Sequence, residues 1–171
     1  MNRTRLSTLA LVASIAAGAL APGAAAQQSP SAAAFAALTS LVGEWTGAYQ
    51  GTAIRLTYTL TAEGSALMEV FRPAAGPVMI TMFTVDGDRV RASHYCSAGN
   101  QPLMTTDAIR VPDSTRMAFG LDRVTGLKTP ATWHNTALVM MLGGRSRLTQ
   151  QWTWLANGET GTTVFEFTRV P

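Results

Sequence analysis

Residues 54–62 read IRLTYTLTA, and their alternation decides the fold. Ile54, Leu56, Tyr58 and Leu60 fall on one side of an extended chain, and Arg55, Thr57, Thr59 and Thr61 fall on the other. A strand of this kind sits in a sheet with one packed face and one solvated face. Working outward, strand-like runs recur at 44–50, 66–72, 78–85, 89–96, 104–111, 115–121, 133–142, 147–155 and 162–169. Stretches with turn chemistry separate them: AEGS, DGD, SAGNQP, PDS, LGGRS and ANGETG. VDGDR at 85–89, between two such runs, is a strong hairpin signal. One segment, AFAALTSLVGEW at 34–45, has helical spacing instead, with Phe35, Leu38, Leu41 and Val42 on one side and Gly43 as its stop. The expected fold is all-β: about ten antiparallel strands after a short N-terminal helix. A meander of that length packs as a sandwich or closes into a barrel, and closure removes the exposed edges.

The ends of the chain carry a different message. Arg3 and Arg5, an apolar run from Leu6 to Ala21, and Ala24, Ala25 and Ala26 make the three-part pattern of a secretory signal cut before Gln27. The run is too short and too alanine-rich for a membrane span. Residues 1–26 are therefore expected to be a signal peptide, 27–34 a flexible lead and 35–171 a single β-barrel domain. The mature protein is expected to be periplasmic or secreted, without a membrane span. The whole chain has 13 Lys and Arg against 10 Asp and Glu. Loss of Arg3 and Arg5 leaves 11 against 10, with no basic block, which argues against nucleic acid as a partner. Cys96 is the only cysteine, so no intramolecular disulfide can form and stability must come from a packed core.

Candidate functional residues are the polar ones on apolar faces. In RVRASHYC, Val90, Ala92, His94 and Cys96 share the inward face, while Arg91, Ser93 and Tyr95 share the other. A buried imidazole needs a partner, so His94 must meet a side chain, a water, a metal or a ligand. His134 shares a face with Thr136, Leu138, Met140 and Leu142, although both faces of that strand become apolar after Asn135. In LTQQWTWL, Leu148, Gln150, Trp152 and Trp154 lie together, which suits either a ligand cavity or an ordinary core. Glu69 is the one mid-strand carboxylate that an inward register would bury. His94, Cys96 and His134 together could offer zinc or copper three ligands. A Cys96–His94 nucleophile pair has no identifiable orienting Asn or Asp. SAGNQP at 97–102 is either a plain turn using positive φ at Gly99-Asn100 or a rim that touches ligand.

LVGEWTG behind a short helix, VDGDRVRASHYCSAGNQPLM, and the succession WHNTALVMM, LTQQWTW, NGE and FEFTR resemble an uncharacterised bacterial family of calycin-like β-barrels. That family is related in shape to lipocalins and fatty-acid-binding proteins, and more closely to nitrobindin-like haem-binding barrels. The similarity covers nearly all of 38–170, and its specific motif is HYCSAGNQP, matched by His94, Tyr95, Cys96, Gly99, Asn100, Gln101 and Pro102. It implies a ten-stranded antiparallel barrel with an interior cavity and a short helix near one end. His134 matches a histidine the family often carries in a His-Met-His run; Thr132-Trp133-His134 stands here instead, without the first histidine. Nitrobindin-type barrels hold haem iron through a histidine late in the chain, and none follows His134. The expected function is an exported lipocalin-like barrel binding a small apolar molecule through Tyr58, His94, Cys96, Asn100, His134, Gln150 and Trp152. The alternative is a barrel binding haem or a transition metal, or an enzyme, using His94, Cys96 and His134.

Overall fold

The computed structural model of the protein describes residues 28–171, so the expected signal peptide lies outside the described residues. Helix α1 spans Pro30–Thr39. The Ser29 side chain accepts the Ala32 N–H at 3.2 Å and Pro30 occupies the first turn, which is strong helix-starting chemistry. The helix thus begins inside the stretch expected to be a flexible lead. Alanine at 32–34 favours helix, and the Ser31 hydroxyl, fully buried, donates to the Gly87 carbonyl at 2.7 Å. It also stops short of Gly43. Ser40 ends it, and turn hydrogen bonds from Leu41 and Val42 to the Leu38 and Thr39 carbonyls carry the chain into the sheet.

Ten antiparallel strands follow: β1 Gly43–Tyr49, β2 Thr52–Thr61, β3 Ala66–Pro73, β4 Met79–Asp86, β5 Arg89–Tyr95, β6 Gln101–Thr105, β7 Arg116–Thr125, β8 His134–Gly143, β9 Arg147–Ala156 and β10 Glu159–Arg169. Each pairs with its sequence neighbours, and β10 returns to β1, so the sheet closes into a barrel. No helix among the described residues is long and apolar enough to cross a membrane.

β10 begins three residues before the expected 162, inside the ANGETG turn stretch, and β6 and β7 depart further from their expected bounds. β6 starts at Gln101 and ends at Thr105, several residues before the expected 104–111. Thr106 takes the chain off the ladder: its side chain accepts the Val90 N–H at 3.1 Å and its own N–H bonds the Val90 carbonyl. The segment after it folds back, with the Ile109 N–H on the Asp88 carbonyl. β7 compensates by running on to Thr125, with a register shift opposite Leu103 and Met104.

The two barrel ends differ. α1 packs on β4 and β5 and covers one end, above a core of Leu38, Leu41, Trp45, Leu56, Leu67, Phe83, Phe119, Leu138, Met140 and Leu148. The turns before β2, β4, β6, β8 and β10 rim the opposite end. Along β2 the apolar face is buried at Ile54, Leu56 and Tyr58, but Leu60 is exposed where the strand runs past the barrel.

Arg169 latches the closure at the helix end. Its guanidinium lies 4.3 Å from the centroid of the fully buried Trp45 ring. It also donates to the carbonyls of Arg145, Val42 and Ser40 at 2.7, 2.7 and 2.6 Å. Trp45 in turn donates its indole N–H to the Leu41 carbonyl at 2.8 Å. Replacement Arg169→Ala removes the ring contact and three charge-assisted hydrogen bonds and is expected to cost roughly 2 kcal/mol in urea unfolding. Lysine recovers little of it, because an ammonium cannot lie flat on the ring and span three carbonyls.

Candidate functional site

Four consecutive strands set four polar side chains side by side. The register pairs Tyr58 of β2 with Glu69 of β3, Glu69 with Thr81 of β4, and Thr81 with His94 of β5. Directly opposed residues project from the same face of a sheet, and all four lie inside, at 1%, 1%, 0% and 3% exposure. Gln150, fully buried on β9, closes the belt from across the barrel.

The hydrogen bonds form one connected set. The Tyr58 hydroxyl donates to Glu69 Oε2. Gln150 Nε2 donates to the Tyr58 oxygen at 2.7 Å and to Glu69 Oε2. The Trp152 indole N–H, which can only donate, lies 2.9 Å from Gln150 Oε1 and so fixes which way the amide points. Thr81 Oγ1 stands 3.2 Å from Glu69 Oε1 and 3.0 Å from His94 Nδ1. The chain of bonds ends at His94: its Nε2 is buried with no partner among the described residues. The His94 ring packs on Trp152 with centroids 4.8 Å apart.

Electrostatics follow from burial. Removal from water raises the Glu69 carboxyl above its ordinary range, and the donors Tyr58, Gln150 and Thr81 pull it back in part. Burial, with the Glu69 charge beside it, pushes the Tyr58 hydroxyl well above 10.0. His94 falls from 6.5 to about 4 because burial disfavours its cation. Among the described residues no Lys or Arg is buried, so no cation balances this carboxyl.

Above the belt, on the side away from α1, a cavity of about 80 Å³ is bordered by Glu69, Phe71, Met79, His94, Trp133, Asn135, Trp152, Trp154, Thr163 and Phe165. Of these, Trp133 is the most exposed, at 37%. A cavity of ~150 Å³ takes benzene and a water needs only ~10–15 Å³, so the enclosed part suits a few heavy atoms. Gly161 makes room for it: a Cβ there would collide with the Trp154 ring lying across it.

The seven residues singled out from sequence are divided by the structure. His94 and Trp152 border the cavity, and Tyr58 and Gln150 belong to the belt. Cys96, Asn100 and His134 do not line the cavity; they sit in or beside the rim. The Cys96 Sγ accepts the Ala98 N–H at 3.4 Å within its own turn. Gly99 there has φ +81°, the positive value expected of a turn glycine. Asn100 Nδ2 donates to the Trp133 carbonyl at 2.8 Å, tying that turn to the segment before β8. A bulge decides the face of His134, which the alternation of its strand leaves open. Asn135 pairs with Trp154 but Ala137 pairs with Thr153, so one extra residue is inserted at 136. Asn135 therefore takes the inward position beside Trp154, while His134 bonds the Thr132 carbonyl through Nδ1 at 2.7 Å. Sequence reading passed over Thr81, and the one signal for it was its alternation with Phe83.

A haem or transition-metal site does not fit these residues. His94 has the free nitrogen an axial ligand needs, but the cavity beside it is much smaller than a porphyrin. Cys96 and His134 do not join His94 in it, and the described residues hold no group of three or more His, Cys, Asp or Glu able to hold an ion.

No family model matches the sequence, and no curated protein matches it. Among solved structures, the chain is similar to a protein of unknown function from the DUF3598 family of Nostoc punctiforme, at a TM-score of 0.50 and 17% identity. The match covers 78% of this chain and 49% of that one, so the chain spans about half the neighbour's length. At this identity the likeness shows the fold alone.

His94 and Glu69 give opposite pH dependences. Between 6.5 and about 4 the unfolded chain binds a proton at His94 that the folded chain does not, so His94 makes stability rise with pH. Glu69, raised from 4.5, keeps its proton in the folded chain after the unfolded chain has lost it, so above 4.5 it makes stability fall with pH. Urea unfolding of Glu69→Gln is expected to uncover the full His94 slope, a loss on the order of 3 kcal/mol on acidification through that window. In His94→Gln the slope above pH 4.5 takes the opposite sign.

Proposed function

We propose that this protein is an exported, calycin-like barrel that binds a compact and largely apolar molecule at its open end, with one polar group of that molecule meeting His94. The observation that carries this is the buried, unpartnered Nε2 of His94 in a ring that borders the cavity. An unmet buried nitrogen costs about 1–3 kcal/mol, and a ligand group that satisfies it recovers that cost as affinity. The surrounding Phe71, Met79, Trp133, Trp154 and Phe165 supply apolar contact, the usual makeup of a small-molecule site with few polar fixtures. The enclosed volume selects a small head group, and the aromatic mouth accommodates the remainder. Export rests on the three-part pattern of residues 1–26.

Trp133, Trp152 and Trp154 border the cavity, so binding reads out in intrinsic fluorescence. Titration with indole, phenol and hexanol is expected to give a saturable change for at least one of them. Gly161→Val, which drives the Trp154 ring from its place, should abolish that change while the barrel stays folded by circular dichroism. Non-saturating responses to all three probes, or responses indifferent to Gly161→Val, would overturn the assignment. For export, N-terminal sequencing of protein recovered from the periplasm or medium should start at Gln27; retention of the full chain inside the cell refutes it.

A further inference from the structure

Thr81 has one hydroxyl proton and two neighbours that compete for it. With Glu69 ionised, the proton goes to Glu69 Oε1, 3.2 Å away. The Thr81 oxygen then offers only lone pairs to His94 Nδ1 at 3.0 Å, so Nδ1 must carry the imidazole proton and Nε2 is bare. With Glu69 protonated the order reverses. Glu69 Oε2 already accepts from Tyr58 and Gln150, so the added proton sits on Oε1 and points at Thr81. Thr81 then donates to Nδ1, and Nε2 carries the hydrogen.

We propose that Thr81 couples the protonation of Glu69 to the tautomer of His94, so that the site selects a ligand with a hydrogen-bond donor when Glu69 is ionised and one with an acceptor when Glu69 is protonated. The change balances: a proton entering at Nε2 forms an N–H bond there, Nδ1 releases its proton to Thr81, and Thr81 releases its own to Glu69 Oε1. One proton is gained overall: the entering proton stays on Nε2, the proton displaced from Thr81 ends on the carboxyl, and the charge that disappears is that of Glu69. The titratable groups around the belt are Glu69 from β3, Tyr58 from β2 and His94 from β5. β4, β8, β9 and β10 face it with Thr81, Met79, Asn135, Gln150, Trp152, Trp154, Thr163 and Phe165, none of them charged. Burial holds His94 neutral down to about 4, which leaves Glu69 as the group that takes the proton first.

The ligand preference rests on the proposed site at His94, whereas the coupling can be read without any ligand. Glu69→Gln imitates the protonated state. Its oxygen must accept from Tyr58 and Gln150, so its NH₂ faces Thr81 and forces Thr81 to donate to Nδ1. Nitrogen-15 NMR of the two histidines, assigned with a His134→Gln variant, separates a protonated ring nitrogen from a bare one. In wild type with Glu69 ionised, Nδ1 of His94 is expected to be protonated and Nε2 bare. Wild type should change tautomer as Glu69 titrates, followed by the shift of its carboxyl carbon, while Glu69→Gln holds Nε2–H throughout. In a Thr81→Val background, adding Glu69→Gln should leave the tautomer unchanged. A His94 tautomer that is the same in wild type and Glu69→Gln at every pH where the barrel is folded overturns the coupling, as does a reversal that survives Thr81→Val. Should the variants fail to fold, the wild-type titration alone decides: tautomer and carboxyl shift move together or the coupling is refuted. Pyrrole, which only donates, and pyridine, which only accepts, then test the ligand class by tryptophan fluorescence. The ratio of their affinities is expected to move toward pyridine by about fivefold from wild type to Glu69→Gln, the worth of one hydrogen bond. A tautomer reversal with neither probe bound sinks the ligand site and spares the coupling; binding with no reversal does the converse.

Discussion

A carboxyl group inside a barrel with no buried cation sets the terms for everything around it. Glu69 is fully enclosed, and transfer of an ionised carboxylate from water to such a place is prohibitive unless hydrogen bonds replace the lost water. The sheet supplies them through register alone. Tyr58 and Thr81 flank Glu69 as its direct cross-strand neighbours, and Gln150 reaches it from the opposite wall. Each donor is in turn oriented by something else: Gln150 by the Trp152 indole, Thr81 by His94. A slip of one residue in any of these pairings would turn a member of the belt outward and leave the carboxyl short of a donor. The polar belt and the strand register therefore specify each other.

The same belt divides the barrel into unlike halves. On the α1 side, Leu67, Phe83 and Phe119 fill the interior, with the Phe83 and Phe119 rings 5.8 Å apart. Helix and latch seal that end, so it has little freedom to admit anything. On the other side the hydrogen-bond chain stops at His94, and Phe71, Trp133, Trp152, Trp154 and Phe165 stand around the cavity. Gly161 holds the gap open by letting Trp154 lie flat against its neighbour strand. The open end therefore keeps a cavity where the helix end is filled by side chains.

Much of this was legible in the chain, and the failures have physical causes. IRLTYTLTA gave the strand, its inward face and the burial of Tyr58, because a period of two is a local property. RVRASHYC likewise put Val90, Ala92, His94 and Cys96 inside, where they are. The face of His134 stayed open because both faces of its strand are apolar after Asn135, and nothing in WHNTAL marks the residue inserted at 136, which exchanges the faces of everything before it. β6 was displaced because Thr106 swaps a ladder bond for a side-chain bond, which no pattern of apolar residues records. Glu69 drew notice as the one mid-strand carboxylate, yet its role depends on which residues stand beside it on β2 and β4. Register is a relation between strands, so the belt could not be read from any one of them.

The motif HYCSAGNQP also takes a different meaning once the barrel is closed. Of its polar residues, His94 alone borders the cavity; the others work on the rim. Asn100 is fully buried and donates to the Trp133 carbonyl, so it joins the turn before β6 to the segment that brings Trp133 to the cavity border. Its Oδ1 is buried without a partner, the second unmet polar atom at this end beside His94 Nε2. A buried polar atom left unmet costs more than an apolar one of the same shape, and the helix end has no such side-chain atom among the described residues. The penalty is confined to the end with the cavity, which is where a site that must recognise something, rather than merely pack, would carry it.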